Sequence, residues 1–536
     1  MAKSVIKLFR PPGFSGKGDR YLSKIHKDVT ALLEDLESTH HLMMLDLPNQ
    51  AFTQIAAVIV EFAEDIHNDI GIWRSYEQYN LDLFDTPLPL MLKPGQTVDE
   101  RELFYQRLKH FLWIILPEFD PGLILSPTYE ELDLIAEPLV EHLIEAFAKV
   151  PTDSGIAQFL KEPAKLGWEV KRKLVWLGQA SYFFRFFLGN YIEEQGGNAD
   201  IPTIDDFICQ QDTAWSGLGV IDILAGLLDI TDDQRRDIRS WYERHTAIYK
   251  VKSISKTKGV ITVINAINDK TYKVRMDGDQ ITTFRRNRYV QGALVPWDGL
   301  WYWSGAQHDF GVLPADALQE FIRHYRIRMP NVAYRYCDDL LGTAQEMLQT
   351  QYEEFLKYHG SDLVLYPDGA ALAEDTEKQL RAYNASMEAK TGEQNPRPPN
   401  SPILPPGMLE DYQEMENGVA IYFNPDEGQE VLDDFNLLIS GLEKQGFELT
   451  DDEEDIIRDL ILSEVISPGF VQRVAGKYGS RSISAAFFIN DSDDEFVLDY
   501  LLRRYKGFFF RKRYPSVSIY PDDDISEDAL MKILSL

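Results

Sequence analysis

Two segments of the chain mix cations with aromatic side chains, and their residues are the best suited to binding chemistry. The first runs from Arg503 to Tyr514 and holds six Lys/Arg and five aromatic residues, with no acid. Cations neutralise phosphates and aromatic faces stack on unpaired bases, so this composition suits single-stranded nucleic acid. The candidate binding residues of this segment are its cations, Arg503, Arg504, Lys506, Arg511, Lys512 and Arg513.

The same segment also suits an intramolecular role. Apolar residues from Leu498 to Tyr505 continue an amphipathic helix into it, so Phe508–Phe510 can form the buried exit of that helix. The cations can then pair with acidic clusters nearby, such as Asp491–Glu495. The sequence permits both interpretations, and the acidity of the whole chain favours the intramolecular one.

The second segment lies between residues 284 and 303, in a predicted β-rich region. Trp301 and Trp303 are two residues apart, which places them on one face of a strand and predicts that they fill a core. A small barrel face that carries Arg and aromatic residues can hold an oligonucleotide or a peptide. The residues predicted to be exposed for this role are Arg285, Arg286, Arg288 and Trp297.

Metal-binding and catalytic motifs are the other chemistry to consider. Glu64 and His67 form an E-x-x-H pair, which a helix places on one face. A di-iron bundle needs two such pairs and two further Glu, and no closed ligand set of this kind is visible in the sequence, so we predict no metal and no cofactor. Phosphate-binding loops, nucleophile elbows and zinc-protease motifs are absent too. No catalytic residue is assigned, although a fold can bring together catalytic groups that are distant in sequence.

The elements that position these residues change in character near residue 246. From there to Val312, short runs rich in β-branched residues and Tyr alternate with turns such as Lys258-Gly259, which predicts a small barrel. This region is basic, with ten Lys/Arg against five Asp, in a chain of net charge −32. The predicted strands are Tyr249–Ile254, Val260–Ile264, Thr271–Met276, Ile281–Phe284, Ala293–Val295 and Leu300–Ser304.

Helical periodicity dominates the rest of the chain, so the predicted fold class is mainly α and multidomain, with an inserted small β-barrel. Trp168–Glu194 is predicted as the central helix of a bundle, because its apolar residues leave little polar face. Six Pro among the seventeen residues Thr391–Gly407 predict a stiff linker and a domain boundary. The predicted segments are an extended arm (1–20), an all-α bundle (21–245), the barrel (246–312), a helical region (313–390), the Pro-rich linker (391–407) and a mainly helical C-terminal domain (408–536).

Composition narrows the cellular setting and the class of partner. The net charge of −32 argues against nucleic-acid binding over the whole surface, although it allows one local basic site. Two distant cysteines, Cys209 and Cys337, exclude a Cys-based zinc site and favour a reducing cytosol. No apolar run reaches about 18 residues, and residues 1–20 lack the apolar core of a secretory signal. We therefore expect a cytoplasmic protein without membrane contact.

The barrel sequence resembles a known module. Tyr249-Lys250-Val251, Thr271–Arg275 and Trp301–Gly305 are similar to a small SH3-like barrel of uncharacterised bacterial proteins. Some of those proteins carry a zinc-binding tail similar to that of the SecA translocation motor, but this chain lacks the clustered Cys and His that such a tail needs. Phe423–Gly428 and Tyr505–Pro515 also resemble segments of a bacterial family of unknown function. The resemblance implies an SH3-like barrel, and it supplies no activity or catalytic residue.

These patterns together predict a bacterial cytosolic binding or scaffold protein. It would contact a protein partner through the small barrel and the basic segment near the C-terminus. One alternative is a protein associated with single-stranded RNA or DNA, and another is a helical enzyme whose site only the fold assembles. The sequence specifies neither the partner nor the oligomeric state.

Overall fold

The computed structural model describes residues 5–40, 49–119, 124–213, 215–391, 404, 406–490 and 493–518. The chain forms two compact units. Unit 1 comprises Met1–Leu313 and Phe487–Phe508, and unit 2 comprises Pro314–Ala486 and Phe509–Leu536. Helices predominate among the described residues and accompany a small closed barrel of five strands, which confirms the predicted helical class with a small barrel.

The first part of unit 1 is helical, and its core contains α3. Residues of α3 that recur every three to four positions, such as Ile59 and Phe62, are fully buried, and each such burial stabilises the fold by about 1.5–3 kcal/mol. Two short 3-10 turns, Leu116–Phe119 and Ser240–Glu243, follow α5 and α12. The helices are α1 (Val5–Leu8), α2 (Asp19–His40), α3 (Asn49–Asn68), α4 (Ile72–Phe84), α5 (Glu100–Ile115), α6 (Glu130–Phe147), α7 (Gly155–Lys161), α8 (Gly167–Ala180), α9 (Arg185–Glu194), α10 (Ile201–Gln210), α11 (Val220–Leu227) and α12 (Asp232–Arg239).

The predicted single helix Trp168–Glu194 is wrong, because the chain breaks between α8 and α9. Ser181 at the end of α8 has an extended backbone, with ψ of 150°. Tyr182 then donates a hydrogen bond from its hydroxyl to the buried carboxylate of Asp65, at 2.7 Å. Phe183 is fully buried in the same break. This mostly apolar segment therefore forms two helices joined by a bend, and the side chains of the bend are buried.

Residues 5–20 are docked on the bundle rather than extended as an arm. The indole of Trp176 donates to the carbonyl oxygen of Phe9 at 3.1 Å, and the rings of Phe14 and Phe159 pack with centroids 5.3 Å apart. Gly16 approaches the bundle so closely that a Cβ there would collide with the carbonyl oxygen of Asp153. Aromatic anchors and a glycine contact thus hold a segment whose Pro and Gly content predicted extension.

Five strands form the barrel: β1 (Thr246–Ser255), β2 (Val260–Asn265), β3 (Thr271–Arg275), β4 (Tyr289–Trp297) and β5 (Leu300–Gly311). They close in the order β1-β2-β3-β5-β4, and β1 completes the circle by pairing with β4. Neighbours are antiparallel except for β3 and β5, which are parallel.

One predicted strand of the barrel, Ile281–Phe284, is wrong. Residues Gln280–Thr282 form a 3-10 turn instead. Ile281 is buried there, so a buried apolar side chain in a turn gave the sequence pattern expected of a strand.

Unit 2 combines helices with a small sheet. Its strands β6 (Leu363–Tyr366), β7 (Val419–Asn424) and β8 (Gly428–Leu432) form an antiparallel sheet in that order. Helical periodicity predicts a helix over Gly428–Gln445, whereas the chain there forms β8 and then α18 (Phe435–Glu443). The helices are α13 (Ala315–Arg328), α14 (Pro330–Tyr334), α15 (Asp338–His359), α16 (Gly369–Thr391), α17 (Pro406–Gln413), α18 (Phe435–Glu443), α19 (Asp451–Leu462), α20 (Pro468–Tyr478) and α21 (Arg481–Ala486).

The predicted Pro-rich linker 391–407 falls within unit 2. Residues 392–403 and 405 lie outside the described residues. β6 precedes the linker and β7 follows it, and the two strands pair, with Leu363 opposite Tyr422. The elements on both sides of the predicted domain boundary therefore belong to one sheet.

The predicted C-terminal domain 408–536 contributes to both units. Helix α22 (Asp494–Tyr505) belongs to unit 1. Its Tyr500 is fully buried and stacks on Trp113 of α5, with ring centroids 6.0 Å apart. Within the ranges that the structure describes, no helix is long and apolar enough to cross a membrane.

Candidate binding surfaces

The segment Arg503–Tyr514, here called the C-terminal basic segment, begins inside the core of unit 1. Arg504 is 5% exposed, and its guanidinium lies 4.2 Å from the ring centroid of Trp113. Lys506 is fully buried, and Arg503 is half-buried and forms an ion pair with Asp499 at 3.2 Å. The predicted binding residues Arg504 and Lys506 are therefore not available on the surface of unit 1.

The rest of this segment belongs to unit 2 and contacts acids there. Arg513 binds both carboxylate oxygens of Glu427, with Nε–Oε1 at 2.8 Å and Nη2–Oε2 at 2.5 Å. Its guanidinium also lies 4.5 Å from the ring centroid of Phe509. Lys512 is exposed and pairs with Asp338 at 3.0 Å, and Arg511 is half-buried. These contacts are of the intramolecular kind that the sequence permitted as an alternative.

The arginines predicted on the barrel lie in the segment that leads into β4. Arg285 and Arg286 are exposed. They donate to the carbonyl oxygens of Phe284 at 2.9 Å and Lys252 at 3.1 Å, respectively. Arg288 is half-buried and pairs with Asp309 at 3.2 Å. Two of the three arginines therefore present cations that no acid of the described residues neutralises.

Exposed lysines on neighbouring strands extend this positive surface. Lys250 and Lys252 point outward from β1, and Lys273 points outward from β3. Thr262 of β2 pairs with both Ser253 of β1 and Lys273 of β3, so Lys273 lies two strands from β1, about 10 Å away. Sequence reasoning did not select these lysines, although their alternation with buried residues was a usable signal. The basic barrel face is defined as Lys250, Lys252, Lys273, Arg285 and Arg286, and none of them forms an ion pair within the part of the chain that the structure describes.

Trp297 is fully buried, and the prediction that it is exposed was wrong. Val295 and Trp297 alternate along β4 and join the core of the helical bundle, as does Tyr302 of β5. Next to them, the indole of Trp241 donates to the carbonyl oxygen of Pro296 at 2.8 Å. Trp297 thus anchors the barrel to the bundle within unit 1.

The aromatic residues of the barrel pack on one another near the arginines. Trp303 contacts the buried ring of Tyr249, and Trp301 contacts that of Tyr272, with centroids 5.6 Å and 4.6 Å apart. Trp303 also stacks on Phe284 at 6.1 Å, and both of these residues are half-buried. The aromatic side chains therefore leave part of a stacked pair accessible beside Arg285.

A polar cleft of about 550 Å³ separates α10 from the barrel within unit 1. Beneath it, Asp205 bridges Lys171 at 2.7 Å and Arg244 at 3.0 Å. Cys209 is buried beside Lys171, and burial raises the pKa of its thiol, so it is no exposed nucleophile. The cleft offers hydrogen-bonding groups for a polar ligand. Its polar lining includes Tyr191, Gln195, Thr203, Asp206, Gln291, Gln307 and His308.

The E-x-x-H pair on α3 is engaged in structural contacts. Glu64 pairs with Arg10 at 2.7 Å and accepts from the hydroxyl of Ser154 at 2.9 Å. The Nε2 atom of His67 lies 3.0 Å from the carbonyl oxygen of Val150. Among the described residues, no group of three or more His, Cys, Asp or Glu is arranged to hold a metal ion.

Comparisons with known protein families, curated proteins and solved structures found no match for this chain.

Proposed function

We propose that the protein is a binding or scaffold protein that contacts an acidic segment of a protein partner through the basic barrel face. The supporting observation is that the five cations of this face are exposed and form no ion pair with any described residue, in a chain of net charge −32. In the C-terminal basic segment, by contrast, four cations contact groups of their own units, namely Arg503, Arg504, Lys512 and Arg513, so the barrel is the proposed contact surface. From the resemblance of the barrel sequence, we also infer an SH3-like barrel and a bacterial cytosolic protein.

The arrangement of the cations suits an extended acidic peptide. Lys250 and Lys252 are both exposed on β1, where Lys252 is the extra residue of a β-bulge opposite β2. An extended peptide presents alternate side chains about 6.6 Å apart, so its carboxylates can reach both lysines. Arg286 adds a planar donor group held beside Lys252, and guanidinium groups can bind carboxylates with two hydrogen bonds. Charge complementarity of this kind speeds association and selects acidic partners.

Single-stranded nucleic acid is the second candidate ligand of the same face. The half-buried stack of Phe284 and Trp303 lies beside the exposed Arg285. Proteins that bind single strands combine such rings with cations along the backbone. The protein candidate has priority because the acidic surface of the chain repels a long polyanion outside the basic barrel face.

Fluorescence anisotropy with the full chain tests both candidates. The probes are a labelled Asp/Glu-rich peptide and a labelled single-stranded oligonucleotide, each titrated at several salt concentrations. Changing Lys250, Lys252, Arg285 and Arg286 together to Ala should weaken peptide binding by roughly tenfold or more. Each charge contact contributes modestly to the binding free energy, but the four together supply most of it.

A variant that loses the same charge elsewhere in unit 1 provides the control. Arg74, Arg101, Arg172 and Arg236 are exposed and already paired with acids, so changing them to Ala should affect binding little. Equal losses in both variants, or no peptide binding by the parent, would contradict the proposal. Binding of the oligonucleotide alone, with a log–log salt slope of about −0.7 per contact, would select the nucleic-acid candidate.

A further inference from the structure

The docked N-terminal segment encloses a cavity of about 610 Å³ lined by cations. Lys7, Arg10, Lys17 and Arg20 contribute to its wall, together with Asp19. Binding sites for small molecules commonly have volumes of about 300–1,000 Å³. The size and the charge of the wall together point to an anionic small molecule.

Arg10 and Lys17 lie between α1, which carries Lys7, and α2, which carries Arg20, and this connecting loop is held in place by contacts with the bundle. The amide of Lys17 donates to the carboxylate of Asp153 at 3.2 Å, and the amide of Gly16 donates to Asp19 at 3.3 Å. A Cβ on Gly155 would lie 2.8 Å from the nitrogen of Ser15, so only glycine allows this approach. The cations therefore extend from a positioned loop and not from a free tail.

Arg10 forms the buried part of the wall. Its side chain is 6% exposed and pairs with Glu64 at 2.7 Å and with Asp19 at 3.2 Å. Its Nη1 atom is also buried and has no hydrogen-bond partner among the described residues. A buried guanidinium donor without an acceptor is unfavourable, so an anion that Arg10 reaches by a rotation of its side chain would supply that acceptor.

The other three cations lack acidic partners. Lys7, Lys17 and Arg20 are exposed. None of the three forms an ion pair with any residue of the described ranges, and Arg20 stacks on the ring of Tyr21 at 4.9 Å. The acids nearby are occupied, since Asp19 and Glu64 bind Arg10 and Asp153 binds a backbone amide.

We propose that this cavity binds a soluble small molecule that carries a phosphate group. Phosphate oxygens can accept hydrogen bonds from several cations at once, and Arg presents a fork of donors that fits them. Arg10 would fix one oxygen from within, while Lys7, Lys17 and Arg20 close around the rest. This site uses none of the residues of the basic barrel face, so it is independent of the proposed partner contact.

Isothermal titration of the full chain with pyrophosphate and with ADP tests the site. Both ligands should bind, and changing Lys17 and Arg20 together to Ala should weaken each affinity by roughly tenfold or more, because charge-assisted hydrogen bonds are lost. Lys24 and Lys27 provide the matched control, since both are exposed on α2 and neither forms an ion pair. Changing these two to Ala removes the same charge and should leave the affinity within about twofold of the parent value.

The outcomes separate a built site from a general attraction. Equal weakening in the two double variants would show that only the overall charge matters, and it would overturn the proposal. Failure of the parent to bind pyrophosphate or ADP would overturn it too, as would binding only to vesicles that contain phosphatidic acid.

Discussion

The contact between Gly507 and Gly217 gives the sharpest test of where the C-terminal basic segment lies. Gly507 lies one residue before the end of this segment's part of unit 1, and Gly217 is in a loop before α11. A Cβ on Gly507 would lie 2.5 Å from the carbonyl oxygen of Gly217 and 2.8 Å from its carbonyl carbon. Ordinary contacts of carbon are about 3.5 Å or longer, so Gly507→Ala must move the two backbone segments about 1 Å farther from each other.

The expected loss of stability follows from this overlap. Extra atoms in a packed core cost about 1–3 kcal/mol. Backbone on both sides must move here, because the atoms nearest to the new Cβ are the Cα, carbonyl carbon and carbonyl oxygen of Gly217. We therefore expect a loss of about 3 kcal/mol or more, which corresponds to a fall of roughly 5 °C or more in the melting temperature of unit 1. Hydrogen exchange in α22 should accelerate, since this helix ends at the contact.

Gly189→Ala is the matched control within unit 1. Gly189 is exposed in α9, and a Cβ there would meet no atom within 4 Å. Ala in a helix is favoured over Gly by about 0.5–1 kcal/mol, so this change should raise the melting temperature. Calorimetry of the full chain compares the two variants directly. A melting temperature of Gly507→Ala equal to that of the parent would refute the docking of the segment against Gly217.

Three further predictions concern unit 2. Arg513→Ala should lower the unfolding free energy of unit 2 by about 1–2 kcal/mol, because a bidentate and only partly exposed ion pair is lost. A double-mutant cycle with Glu427→Gln, measured by urea denaturation, should show coupling between the two residues. Additive effects of the two changes would contradict the ion pair. A hydrogen bond from Lys444 holds the pKa of Glu453 at about 2, below its ordinary 4.5, so the unfolded chain takes up a proton first and stability should fall as the pH drops from about 4.5 to about 2. Glu453→Gln should flatten that part of the profile of unfolding free energy against pH, and an unchanged slope would show that the carboxylate is not responsible. Thr391–Gly407 should be the first site of limited proteolysis, and the fragments should co-elute in size-exclusion chromatography because β6 pairs with β7 across it; separate elution would rule out this pairing.

The barrel was predictable from sequence because its signal is local. Alternation of buried and exposed residues is visible in β1, β2 and β3, and the turns between them contain Gly259 and Asp269 with positive φ. Closure of the barrel was not local, since it depends on the parallel contact between β3 and β5. Ile281 was assigned to a strand because burial in a turn and burial in a strand select the same residue type.

The binding residues were harder to predict because exposure depends on contacts between distant parts of the chain. Arg504 is buried by Trp113, and Trp297 is buried by the core of the bundle. Arg and Trp each combine a large apolar surface with a polar group, so their composition alone does not distinguish core from surface. Lys506 is the extreme case, a lysine that is fully buried at the end of a helix.

In so acidic a chain, the number of cations in a segment is a weaker guide to binding than their partners. The C-terminal basic segment has the highest density of cations, yet Arg504 stacks on an aromatic ring and Arg513 binds a carboxylate in its own unit. An external anion would have to displace those contacts, and the exchange of one pair for another yields little free energy. Among the described residues, Lys17 in the N-terminal cavity and Lys252 on the barrel have no such acidic partner to lose. An anion that binds at either place gains the whole attraction, which is why the sparser clusters are the stronger candidates for sites.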